Sequence, residues 1–427
     1  MKHMVSAIAV LALCTTVNAQ KIYTSDITNF WSAYDKMQQT DQNKKQVLEE
    51  LFLNKKTDGL TAFMSIKKFN EEDYLKAIEK YPQFWNSIRP NTLIDAKKIK
   101  SINKALERLK VLYPNNSKGN IYYTIGTFVS GGTTNKEDLL LGIEKIVGDK
   151  NTVVSEFENK NLQKMFRYIN ASQLEQITVH EFIHTFQKNG EVNVLSKAIK
   201  EGSCDLIAEL ALNTKFVSQY IDYGYKNYDA VRTAFQKEMF GQHFSNWFFN
   251  SDINEHPDLG YFVGYVISKK YYENAKDKKK AIKDIIDLDF DNETAVLTFL
   301  EQSNYFNDAV AVRKLWSTHK ENQPKVVSIL EFENGNQQVS TDIKKIQIVF
   351  SKPMHDKVSI NFSKNGKEHF PLKNIVGLDE SKTILTVETS ELKPNTEYDF
   401  YITDRGTKSA DGYSFAQAEY KIAFRTK

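Results

Sequence analysis

The chain has 427 residues, with 57 Lys+Arg against 54 Asp+Glu, eight histidines and two cysteines. At roughly 100–200 residues per domain the length predicts two or three domains, and 41% hydrophobic with 12% aromatic residues excludes a disordered chain. A formal charge of +3 excludes a strongly basic nucleic-acid binder, and two cysteines exclude both a disulfide scaffold and an all-thiolate zinc site.

Residues 1–19 read as a secretory signal peptide. Lys2 precedes an apolar run over 4–13, and the small residues Val17 and Ala19 stand before Gln20. An exported protein is expected, whether periplasmic, cell-surface or secreted. Lipid anchoring at Cys14 is not expected, because Leu13 stands where a lipobox needs a small residue. No later segment approaches the roughly 18 apolar residues of a membrane helix, so no transmembrane segment is expected. With 1–19 removed Cys204 is the one cysteine left, and it reads as a small buried residue rather than a catalytic thiol.

Residues 20 to about 113 carry helical periodicity. Ile27, Phe30, Trp31, Tyr34 and Met37 form one apolar stripe, as do Ile102, Ala105, Leu106 and Leu109. Asn70 is the expected N-cap of a helix opening on Glu71, Glu72 and Asp73. From Asn120, IYYTIGTFVSGG and then DLLLGIEKIVG read as strands. Helical periodicity returns at Ser172 and runs, with breaks, to about Trp316. After Pro324 the pattern alternates, as in Ile346, Ile348 and Phe350, which predicts a separate β-sandwich over 324–427.

Two histidines fall in one pentapeptide, His180-Glu181-Phe182-Ile183-His184. On a helix, residues four apart share a face, so both imidazoles can reach one zinc ion. Glu181 is then placed to take a proton from the activated water. Ser172 and Glu175 are expected to cap this helix and Asn189-Gly190 to end it. A catalytic zinc needs a third protein ligand. Seventeen residues past His184, Glu201 and Asp205 share a helical face, Glu201 as that ligand and Asp205 as acceptor for a ligand histidine's far N–H. The rival for this pair is a solvated acidic face, weakened by Leu206, Ile207, Leu210 and Leu212, which show that the helix packs. For the group that stabilises a developing oxyanion, Tyr261, Tyr265 and His256 are candidates, with Tyr265 preferred. Plain packing is the rival for both tyrosines.

HEFIH followed by EGSCD resembles the gluzincin zinc metalloproteases, closest to predicted zinc-dependent proteases with H-E-x-x-H and E-G-x-x-D. The specific motifs lie between residues 172 and 210. The resemblance implies His180, His184 and Glu201 as zinc ligands, Glu181 as general base and Asp205 as buttress. It also implies a mixed sheet whose edge strand, for which 138–147 is the candidate, pairs with an extended peptide. The G-x-M-x-N segment of the clan's aminopeptidases is absent. VFSKPM, LKPNTEY and the closing AFRT resemble bacterial Ig-like domains, with Tyr398 at a tyrosine corner.

The expected fold is α+β: a mainly helical metalloprotease core with a small mixed sheet over 20–323, helical over about 20–113, plus an all-β Ig-like sandwich over 324–427. The expected function is hydrolysis of peptide bonds in peptides or proteins by a zinc-activated water, with Glu181 as general base. The alternative is an exported binding or adhesion protein with an inactive core, the Ig-like domain contacting a cell surface or polysaccharide. Nucleic acid is not an expected partner.

Overall fold

The computed structural model describes residues 20–39, 43–115, 118–251 and 253–427; the expected leader at 1–19, with Cys14, lies outside the described residues. The fold is α+β, as expected. Two compact units divide it. One takes the described residues up to Val192 together with 196–232 and 245–303, and the other takes 193–195, 233–244 and 304–427.

In the first unit, α1 (Ser25–Gln38) buries Ile27, Phe30, Trp31, Tyr34 and Met37, the stripe its spacing predicts. Helices α2 (Lys44–Leu51), α3 (Asp58–Lys67), α4 (Glu71–Lys80), α5 (Pro82–Thr92) and α6 (Ala96–Leu112) complete the N-terminal part. The Phe30 ring stands 5.1, 5.5 and 4.9 Å from those of Trp31, Phe52 and Trp85. Each fully buried side chain of this size contributes about 1.5–3 kcal/mol. Asn70 caps α4 as expected, accepting from Glu72 N while Asp73 reaches back to Asn70 N.

A mixed sheet follows. Strands β1 (Ile22–Tyr23), β2 (Ile121–Thr124), β3 (Gly132–Asn135) and β4 (Asp138–Gly142) lie in the order β1-β2-β4-β3. β1, β2 and β4 run parallel, and β3 is antiparallel to β4. The expected edge strand over 138–147 is therefore corrected. Asp138–Gly142 lies one strand in, and Ile143–Lys145 coils into a 3-10 turn. The edge on that side is β3, whose sequence GTTN is too polar and short to announce itself.

Helix α7 (Lys160–Tyr168) leads to α8 (Leu174–His184), and α9 (Val194–Leu212), α10 (Gln219–Lys226), α11 (Tyr228–Glu238), α12 (Leu259–Asn274), α13 (Lys278–Ile286) and α14 (Glu293–Ser303) follow. The Tyr123 and Thr178 hydroxyls meet at 2.5 Å in the interior, fastening α8 to β2.

The second unit holds α15 (Ala309–Asn322) and strands β5 (Val326–Ile329), β6 (Lys345–Phe350), β7 (Ser359–Phe362), β8 (Leu372–Leu378), β9 (Ile384–Thr389), β10 (Glu397–Thr403) and β11 (Glu419–Arg425). They form two sheets, β5-β6-β9-β8 and β11-β10-β7. Ile346, Ile348, Leu385 and Val387 of one sheet, with Phe400, Ile402 and Ile422 of the other, form the buried core. The Tyr398 hydroxyl accepts from Lys393 N at 2.8 Å, the strand-crossing contact expected of a tyrosine corner.

Candidate metal centre

Helix α8 carries the H-E-x-x-H segment, but its ends differ from expectation. Asn170, not Ser172, supplies the capping oxygen, accepting from Ser172 N for the 3-10 turn that leads in. The helix stops at His184 instead of at Asn189-Gly190. Thr185 N turns to Phe182 O at 3.1 Å and its hydroxyl caps the same carbonyl at 2.7 Å, so the last turn tightens and ends. This early stop lets Gln187 fold back toward His184.

The structure brings His180, His184 and Glu201 together. The two imidazole Nε2 atoms are 3.2 Å apart. Glu201 Oε2 lies 3.5 Å from His180 Nε2 and 3.3 Å from His184 Nε2. These spacings test the fit of a metal. Ligand atoms about 2.0–2.1 Å from one ion at the tetrahedral angle stand roughly 3.3–3.4 Å from one another. The donors also carry the right lone pairs. His180 Nδ1 meets Asp205 Oδ1 at 2.7 Å and His184 Nδ1 meets Gln187 Oε1 at 2.8 Å. Both acceptors favour a proton on Nδ1, so each Nε2 turns to the shared point and, in the neutral imidazole, presents its lone pair there. Two such lone pairs repel unless a metal ion or a proton lies between them. The residues present fit zinc.

Electrostatics follow the same geometry. Burial alone would lower the His180 pKa, but Asp205 and Glu201 hold it well above the usual imidazole value. Burial alone would raise the Glu201 carboxyl, yet His184 and His180 keep it well below the usual range. Asp205 is fully buried, and its second oxygen accepts from the Tyr220 hydroxyl at 3.0 Å. Glu181 faces the sheet edge: its Oε2 would lie 3.6 Å from a Cβ added at Gly132 of β3. Cys204 lies close enough to group with the two histidines, but its sulfur approaches His184 from the Nδ1 side and donates to Gln187 Oε1 at 3.2 Å. It therefore packs behind the imidazole, away from the paired Nε2 atoms.

Glu201 is placed by a close helix crossing. A Cβ at Gly202 of α9 would stand 1.9 Å from Tyr265 N, and one at Gly264 of α12 would stand 1.5 Å from Ala198 O. Backbone meets backbone there. The preference for Tyr265 as oxyanion donor is corrected by this packing. Its hydroxyl donates to Glu209 Oε2 at 2.7 Å and accepts from Lys269 at 2.8 Å, which commits it elsewhere. Tyr261, one turn earlier, comes beside the histidines instead, its ring 6.1 Å from that of His180. Burial, Glu201, Asp258 and Glu181 raise its phenol well above the usual value. His256 stacks on Tyr223 at 3.8 Å, outside the cluster. Sequence reasoning missed Gln187 and Tyr220. Gln187, three residues past His184, carried a spacing signal, whereas Tyr220 carried none.

Residues 320–426 match the family model of the bacterial Ig-like domain. This segment is similar to bacterial Ig-like domains. No curated protein matches the chain. Among solved structures, the chain is similar to surface layer protein SbsC, domains 1-6, at 13% identity and a TM-score of 0.20, covering 77% of this chain and 45% of that one. The S-layer protein rSbsC(31-844) gives 14% identity, a TM-score of 0.19, and coverages of 87% and 46%. The chain thus spans under half the length of both, and likeness at these scores carries no argument about either unit.

Proposed function

We propose that this chain is an exported zinc metallopeptidase carrying an Ig-like domain at its C-terminal end. One observation carries the reading: three ligand-type atoms, from His180, His184 and Glu201, stand 3.2–3.5 Å apart with both histidine Nδ1 atoms committed to acceptors. The leader-like start at 1–19 supports export.

His180, His184 and Glu201 would hold the ion. Bound zinc supplies Lewis acidity, bringing the pKa of water to about 7 and polarising a carbonyl. Glu181 takes the proton of the attacking water and returns it to the leaving amine. The Tyr261 hydroxyl donates to the oxygen on which negative charge grows. Asp205 and Gln187 fix the two imidazoles in the tautomer that leaves Nε2 free. A peptide substrate would run along the free edge of β3.

The test is Glu181→Gln. Purified wild type should carry one zinc per chain and cleave a peptide library. The variant should keep its zinc and lose roughly 10²–10⁴-fold in kcat. Equal cleavage by the two would overturn the mechanism, and a wild type without stoichiometric zinc would overturn the reading. A second reading, a surface protein that binds through its Ig-like domain, is favoured by the match over 320–426. It predicts binding to a surface or polysaccharide that survives Glu181→Gln.

A further inference from the structure

Within the second unit, a cavity of about 320 Å³ has Phe240, His243, Thr318, His319, Asp411 and Tyr413 in its wall. None of these residues belongs to the metal centre. Three stretches of chain build it: the end of α11 with the loop after it, the C-terminal half of α15, and the turn at 411–413 between β10 and β11. The volume falls in the roughly 300–1,000 Å³ range of small-molecule sites and equals the liquid share of about ten waters.

Both sides of the cavity are held by bonds of their own. On one side, Val194 N donates to Gly241 O at 2.9 Å and Leu195 N to Met239 O at 2.8 Å. On the other, Ser409 N donates to Tyr413 O at 2.9 Å, Tyr413 N to Ser409 Oγ at 3.0 Å and Ala410 N to Pro353 O at 2.8 Å. Lys352 donates to Asp411 at 2.7 Å and to Asn322 O at 3.1 Å, with its ammonium 4.8 Å from the centre of the Tyr413 ring. Gly412 makes the turn at a φ of +94°, and a Cβ there would lie 3.8 Å from His243 Cε1, so the two sides meet. The His319 ring bridges them, 5.3 Å from that of Tyr413 and 6.1 Å from that of Phe240.

The wall selects a class of ligand. Lys237 offsets Glu238 and Lys352 offsets Asp411, so with neutral imidazoles no net charge is left to hold an ion. An apolar ligand would take water from Gln236, Thr318 and Asp411 and give no hydrogen bond back. A sugar satisfies both kinds of wall. Its C–H faces cover rings such as Phe240 and Tyr413. Its hydroxyls donate to carboxylates, accept from an ammonium, and do either with Gln236, Thr318 and the imidazoles.

We propose that this cavity binds a neutral saccharide, one or two pyranose rings of a glycan chain. The proposal rests on the second reading, binding through the C-terminal part, and is independent of peptide cleavage. A wall already held in place costs little ordering when the sugar enters.

The experiment titrates the full chain, residues 20–427, by calorimetry. The probes are cellobiose, maltose, lactose and N,N′-diacetylchitobiose, with the anionic disaccharides of hyaluronan and chondroitin sulfate as comparators. At least one neutral disaccharide should bind roughly tenfold or more tighter than both anionic ones. Tyr413→Ala, which removes a ring, should weaken that binding by about tenfold or more, whereas Tyr413→Phe, which keeps the ring, should stay within about threefold. Thr318→Trp fills the cavity from an exposed position on α15 and should abolish it. No binding of a neutral disaccharide, tighter binding of an anionic one, or affinity unmoved by both Tyr413→Ala and Thr318→Trp would overturn the inference. Sedimentation with insoluble cellulose, chitin and peptidoglycan is read in parallel. Sedimentation that persists in both variants would fail this inference and leave the second reading standing. A chain that neither sediments nor binds any disaccharide would fail both.

Discussion

Asp205 shows how much of a site lies behind its ligands. It is wholly buried and takes one bond from His180 and one from Tyr220. Burial comes first among the influences on its carboxyl and raises its pKa, while the His180 contact works against that. Asp205→Asn keeps the volume but can present its amide N–H to His180 Nδ1, which favours the wrong tautomer. Zinc affinity should fall roughly 10–100-fold, read by competition with a chromogenic chelator, with little change in the circular dichroism spectrum. At this scale the i, i+4 histidines and the acids four apart were legible in the sequence, because helical spacing alone dictates which side chains share a face. Tyr220 was not legible: its approach to Asp205 depends on where α10 packs. Tyr261 and Tyr265 have equal claims on spacing, and only the α9–α12 crossing separates them.

That crossing is the feature to test among elements. Glu201 points at the histidines because α9 and α12 approach to backbone contact at Gly202 and Gly264. A methyl group at Gly264 would meet Ala198 O, which is backbone and cannot rotate aside. Gly264→Ala should therefore cost about 1–3 kcal/mol by urea denaturation and weaken zinc binding with it, since Glu201 must move when the helices part. A change confined to stability, with zinc affinity intact, would show that the crossing does not position Glu201. The sheet illustrates the opposite limit of legibility. Buried β2 reads as a strand from IYYT alone. The polar segment GTTN becomes the edge only because β4 offers it a partner.

Across the whole molecule, one buried acid ties stability to pH. Glu144 accepts from Gly126 N at 3.0 Å and from Phe128 N at 3.2 Å, bracing the loop that leads to β3. Burial raises its pKa from the usual 4.5 to about 7 despite those bonds. The folded chain thus keeps a proton that the unfolded chain has released. Between those two values stability falls as pH rises, by about 3 kcal/mol in total, and levels off above them. Glu144→Gln has nothing to titrate and loses one acceptor. It should melt lower than wild type at pH 5, yet its melting temperature should decline less between about pH 5 and 8. Parallel declines in a calorimeter would contradict this. The division into a helical part and a sandwich was legible because the hydrophobic period changes from helical to alternating. That residues 193–195 and 233–244 join the second unit was not, since the contacts responsible are distant in the chain.

Cys204 is the one cysteine among the described residues, sealed behind His184 with its thiol pushed well above the usual value by burial and by Glu201 and Asp205. An alkylating reagent meets a thiolate there only when α8 and α9 separate. The sulfur is thus a natural clock for the breathing of the ligand helices. Its labelling rate counts openings, one chemical signal per molecule in a chain without residues 1–19 and their Cys14.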